Sequence, residues 1–151
     1  MRFSVKFPSI LIWNRAAGGV ALIVVDSSVW IDFFNGRETP QSGKLLSLMG
    51  NEPLVVGDLI LCEILQGART ESHARTLEVE LRKFEMVAML NPDLAVIAAK
   101  NYRALRSQGI TIRKTIDLVI GTFCIAFKHT LLHDDRDFGP METHLGLKTA
   151  L

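Results

Sequence analysis

A chain of 151 residues amounts to about one domain and is long enough to bury a core. Hydrophobic residues make up 48% of it and its mean hydropathy is positive, which describes a globular body rather than a disordered one. The formal net charge of +1 excludes the chain-wide basic character of many nucleic-acid binders, so contact with a polyanion has to rest on local patches.

Residues 1–20 read as foreign to the rest. Met1-Arg2-Phe3-Ser4-Val5-Lys6-Phe7 is basic and mixed, Pro8 interrupts it, and Asn14-Arg15 cut short the apolar core a signal peptide would need. They are expected to be an extension outside the fold. The first strand follows at Leu22-Ile23-Val24-Val25 and stops on Asp26. An unbroken apolar run of this length reads as a strand covered on both faces, here delivering one carboxylate to its carboxyl end. Ser27 or Ser28 is expected to cap the short helix to Phe34, with Asn35-Gly36 as its stop.

Ser42 to Met49 reads as a second helix with Leu45, Leu46, Leu48 and Met49 inward, and Leu54 to Val56 as a second strand. Gly57-Asp58 opens a helix through Gln66 that Gly67 ends. A charged amphipathic helix runs from Glu71 to Phe84, its His73–Lys83 face solvated, and a third strand from Glu85 to Leu90. Asn91-Pro92 is a cap followed by a first-turn proline, and that helix stops near Gly109. Thr115 to Phe127 is apolar nearly all round and therefore central. Thr130 to His133 is a fourth strand, Asp134 to Pro140 a loop, and Leu147 to Leu151 a short edge strand.

Strands alternating with helices define an α/β domain with a parallel, helix-covered sheet. No apolar run approaches the roughly 20 residues a membrane span needs. Cys62 and Cys124 both fall in apolar helical segments and read as two buried free thiols of a reducing, cytoplasmic compartment.

Five carboxylates stand in unusual places. Asp26 ends the first strand, Glu63 interrupts an apolar helix, Asp117 sits in the first turn of the most buried helix, and Asp135 and Asp137 follow the fourth strand. Two like charges about 5 Å apart repel by roughly 3 kcal/mol at an effective dielectric near 20. A cluster of such acids is tolerable around a hard divalent cation, which takes oxygen ligands. One or two such ions can polarise a phosphodiester, activate a water and steady the leaving oxygen. Each acid also has a plainer reading as a cap, a dipole partner or a surface charge, which suffices for Asp32, Asp58, Asp93 and Asp134. Arg113, Lys114 and Arg136 flank the acids, either as solvated charges or as holders of a phosphate backbone. His133 reads as a packed or hydrogen-bonded histidine rather than a proton carrier.

Taken in order, Val25-Asp26-Ser27-Ser28-Val29-Trp30-Ile31, Leu61-Cys62-Glu63-Ile64-Leu65-Gln66-Gly67, Thr115-Ile116-Asp117-Leu118-Val119-Ile120-Gly121 and Leu131-Leu132-His133-Asp134-Asp135-Arg136-Asp137-Phe138 resemble the PIN-domain ribonucleases, specifically VapC-like toxins of bacterial toxin–antitoxin pairs. The resemblance runs from about residue 22 to the carboxyl end, and the PIN domain is expected over residues 21–151. It implies a PIN-like three-layer sandwich, a five-stranded parallel sheet between helices, and endonucleolytic cleavage of RNA with Mg²⁺ or Mn²⁺. The family's acidic quartet falls on Asp26, Glu63, Asp117 and Asp135, with Asp137 as a fifth or alternative ligand, and its Ser or Thr on Ser27 or Ser28. The implied partners are RNA, a second copy of the chain and an antitoxin; no membrane is implied. The alternative is a catalytically silent PIN-like module that binds RNA or protein. A receiver domain would want two adjacent acids after the first strand, and a haloacid-dehalogenase-type phosphatase a second Asp where Ser28 stands, so both are disfavoured.

Overall fold

The structure is a computed structural model and describes residues 20–151. The expected extension therefore lies, but for Val20, outside the described residues. Five parallel strands, β1 (Ile23–Val25), β2 (Leu54–Gly57), β3 (Glu85–Val87), β4 (Thr130–Leu132) and β5 (Lys148–Thr149), form one sheet in the order β3-β2-β1-β4-β5. Ile23 is in register with Leu54 on one side and Thr130 on the other. Val24, Val25, Val55, Val56, Leu131 and Leu132 are fully buried, as expected of short strands with helices on both faces.

Seven α-helices cover this sheet among the described residues: α1 (Ser27–Phe34), α2 (Pro40–Leu48), α3 (Asp58–Gln66), α4 (Glu71–Leu81), α5 (Pro92–Ser107), α6 (Thr115–Phe127) and α7 (Gly139–Leu145). They pack as two groups, α1 with α2 and α3 and α3 with α4, and α5 with α6 and α7. The chain winds outward from β1 to β3 and then returns to β4 on the opposite side of β1. That reversal between β1 and β4 is the topological switch point at which open parallel sheets form their ligand crevice.

Several local expectations are corrected. The cap of α1 is Asp26 itself, whose carboxylate accepts from the Ser28 N–H, and neither serine takes that position. α2 starts two residues before Ser42, because Thr39 and Ser42 form a reciprocal capping box around Pro40. Leu46 points outward at 63% exposure while Leu45 and Leu48 face the core. α4 ends at Leu81 and β3 at Val87, both short of the expected stops. Cys62 is exposed on α3; only Cys124 of the two free thiols is buried.

The segment after β4 is not a plain loop. Arg136–Phe138 is a 3-10 turn and α7 follows at once, with Gly139-Pro140 opening a helix rather than a turn. Phe138 and Met141 anchor it in the core. Gly121 of α6 makes this approach possible, since a Cβ there would lie 2.5 Å from Met141 Sδ and Cε. No helix among the described residues is long and apolar enough to cross a membrane.

Candidate active site

Asp26 leaves the central strand at the switch point, its N–H still bonded to Leu132 O at 2.9 Å. Its Oδ2 accepts from Ser28 N at 3.1 Å and from Ser28 Oγ at 2.6 Å. Its Oδ1 is buried with no hydrogen-bond partner among the described residues. Glu63 reaches the same region from α3 and accepts from Ser27 Oγ at 3.2 Å. The two serines thus orient two different acids.

Asp117 lies one turn into α6 and is 3% exposed, and its Oδ2 also lacks a hydrogen bond among the described residues. Asp135 caps the 3-10 turn, its Oδ1 accepting from Asp137 N at 2.9 Å. Asp117, Asp135 and Asp137 each offer a carboxylate oxygen within 4.8 Å of the other two. Both Asp135 and Asp137 are therefore placed to contribute, the turn bringing the second back beside the first.

Lys114 and Arg113 face this cluster. Lys114 Nζ stands 3.4 Å from Asp135 Oδ2 and 3.8 Å from Asp117 Oδ2, and Arg113 pairs with Asp137 Oδ1 at 3.2 Å. Neither is a purely solvated charge. Arg136 is exposed. His133 is held as expected: Nδ1 accepts from Asp135 N at 3.2 Å, which leaves Nε2–H to donate to Glu142 Oε1 at 2.6 Å. Its ring packs on Phe138 at 4.8 Å.

The electrostatics join all four acids of the expected quartet. Burial pushes the Asp117 carboxyl up to about 7; Lys114 opposes this, and the charges of Asp26, Asp135 and Glu63 add to it. Burial raises Asp26 as well, offset by its serine hydrogen bonds and reinforced by Asp135. Glu63 is raised by burial first and by Asp26 second. Asp26 and Glu63 are near enough to feel these charges, but neither belongs to the group of three whose carboxylate oxygens lie within 4.8 Å of one another. Sequence spacing gave no hint of Glu142 on His133, nor of the Asp134 N–H on Ser28 Oγ at 3.2 Å; both are contacts between segments that only the fold brings together.

The donor set is suited to a hard cation. Every ligating atom on offer is a carboxylate oxygen, and two buried oxygens, Asp26 Oδ1 and Asp117 Oδ2, have no hydrogen bond among the described residues. Buried carboxylates left so are costly unless paired or coordinating a metal.

Fold and site together define a parallel α/β domain with carboxylates converging beyond the ends of its two central strands. The PIN domain profile matches residues 23–141, and the chain belongs to the PIN-domain family. It is 29% identical over 134 residues to Ribonuclease VapC11 of Mycobacterium tuberculosis, covering 85% of this chain and 98% of that one. Among solved structures, VapBC2 from Rickettsia felis, bound to a DNA fragment from its promoter, superposes with a TM-score of 0.69 at 15% identity, covering 85% of this chain and 96% of that one. VapBC-1 from nontypeable Haemophilus influenzae does so with a TM-score of 0.66 at 19% identity and the same coverage.

Proposed function

We propose that this chain is a cytoplasmic endoribonuclease, the toxin of a toxin–antitoxin pair, which hydrolyses RNA phosphodiesters with Mg²⁺ or Mn²⁺ held by Asp26, Glu63, Asp117 and Asp135, with Asp137 beside them. The observation that carries this reading is the gathering of Asp117, Asp135 and Asp137 within 4.8 Å, coupled electrically to Asp26 and Glu63. The names of the VapC ribonucleases among its relatives support the substrate class, and a toxin–antitoxin complex from Klebsiella pneumoniae among the similar structures supports the antitoxin partner. A second copy of the chain is proposed as a further partner on the same resemblance, and residues 21–151 as the PIN unit.

Each residue has a separate task. Ser28 fixes Asp26 so that Oδ1 is the oxygen left to coordinate, and Ser27 does the same for Glu63. The Asp137 N–H holds Asp135 Oδ1 and leaves Oδ2 to face Lys114. Bound there, a divalent ion supplies Lewis acidity toward phosphorus and a lowered pKa for the attacking water. Arg136, exposed on the 3-10 turn next to Asp135 and Asp137, is placed to hold a phosphate of the RNA.

Incubating RNA with the protein in Mg²⁺, and again with chelator, tests the reading. Cleavage that needs the ion supports it. RNA bound but never cut, with or without the ion, would instead identify the silent binding module.

A further inference from the structure

Lys114 stands immediately before α6 and makes no side-chain cap bond to that helix. Its ammonium instead reaches two acids from different parts of the chain, at 3.4 Å from Asp135 Oδ2 and 3.8 Å from Asp117 Oδ2. The lysine side chain is 60% exposed, whereas those of its partners are 26% and 4% exposed. The acids are therefore fixed by the fold and the cation is free to leave. Asp117 Oδ2 is the same atom that lacks a hydrogen bond among the described residues, so the ammonium neutralises it without fully satisfying it.

We propose that Lys114 is a positioning residue that serves as the counter-ion of the metal-free site and competes with the divalent cation for Asp117 and Asp135. The inference rests on the metal-dependent reading above. A divalent ion held by these oxygens would face an ammonium already 3.4–3.8 Å from them. The two positive charges would repel, so an ion held on these oxygens would require the lysine side chain to turn toward solvent. The lysine keeps the empty acid cluster folded and sets how much divalent ion is needed to fill it.

Arg113 does not substitute in this role, since its guanidinium pairs with Asp137 instead. Arg136 is the local control: it sits between the two acids of the turn and is exposed, yet the ion pairs to Asp135 and Asp117 are made by Lys114. A general loss of positive charge near the site would act through either residue. An exchange at shared oxygens acts through Lys114.

Calorimetric titration of the full chain with Mn²⁺, without RNA and at fixed pH and salt, decides the matter. K114M and K114Q are expected to bind Mn²⁺ about tenfold more tightly than wild type, K114R to restore the wild-type affinity, and R136M to change it by less than K114M. Unchanged or weaker binding in K114M and K114Q overturns the exchange, as does equal tightening in R136M. D117N serves to separate this failure from that of the underlying reading. If D117N loses Mn²⁺ binding while K114M leaves it unchanged, only the exchange is wrong. If D117N binds Mn²⁺ as wild type does, the ion lies elsewhere and both readings fall.

Discussion

The Ser28 hydroxyl accepts the Asp134 N–H at 3.2 Å while donating to Asp26 Oδ2 at 2.6 Å, so one small side chain fastens the loop after β4 to the turn after β1. A hydroxyl can do this because it is donor and acceptor at once. Ser28 and Asp134 are 106 residues apart, and between the strands they follow lies the switch point of the sheet. The position of the acids is set by this side-chain tie as well as by the strands.

Ser28→Ala should therefore cost about 1–2 kcal/mol in urea unfolding, through the weakened α1 cap and an unpaired Asp134 N–H. Cleavage should fall roughly tenfold as Asp26 loses its orientation. Ser27→Ala, which frees only Glu63, should affect stability less. Equal unfolding midpoints for wild type and Ser28→Ala would refute the tie.

Asp117 makes the stability of the metal-free chain depend on pH. Its folded pKa, pushed up by burial to about 7, lies above its ordinary value of 3.8, so the folded state holds the proton more tightly than the unfolded one. That contribution is complete below about pH 4 and is lost as pH rises through about 7. Asp26 and Glu63, also raised, act in the same direction. Thermal melts in chelator should show the wild type losing stability from about pH 4 to 7 and levelling off above that, with a flatter profile for Asp117→Asn. Added Mn²⁺ should restore the wild type above pH 7 and leave Asp117→Asn unmoved. Parallel profiles in chelator would contradict the assignment.

His129 has the opposite sign. It is 2% exposed, accepts the Leu22 N–H on Nδ1 at 3.1 Å, and burial lowers its pKa from 6.5. A depressed histidine contributes fully above the unfolded pKa, and that contribution is lost as pH falls below about 6.5 toward the folded value. His129→Leu should cost about 1–3 kcal/mol at pH 7.5, mainly by stranding the Leu22 N–H, and less at pH 5.5. A cost that grew on acidification would show that the ring is charged in the folded chain.

Arg136→Ala should weaken RNA binding and lower the slope of log affinity against log salt by about 0.7–1, the signature of one lost phosphate contact. A fall in affinity with an unaltered salt slope would remove Arg136 from the substrate path.

Much of this was legible in the sequence because parallel strands and buried helices leave local traces. The apolar runs at Leu22–Val25 and Thr130–Leu132 mark two central strands, and Asn91-Pro92 with Gly109 bracket α5 closely. Gly109 takes φ +77°, a conformation glycine reaches without penalty. Features set by distant partners were not legible. Asp26 and the serines after it are all residue types that can cap α1, and only the backbone shows that Asp26 does. α7 was hidden behind Gly139-Pro140, a pair that marks turns as readily as helix starts. That Lys114 flanks the acids is legible in the sequence, but the approach of Asp135 to it from the far side is not. Asp135 and Asp137 could not be ranked by spacing because a 3-10 turn brings both to the cluster.

The most direct measurement is the rate of RNA cleavage by wild type and Asp117→Asn at pH 7.5, each with Mg²⁺ and with chelator, alongside melts that verify folding. Wild type should cut only with the ion, and folded Asp117→Asn should be slower by about 100-fold or more. Cleavage at the wild-type rate by Asp117→Asn, or by wild type in chelator, would contradict a carboxylate-held ion as the source of the activity.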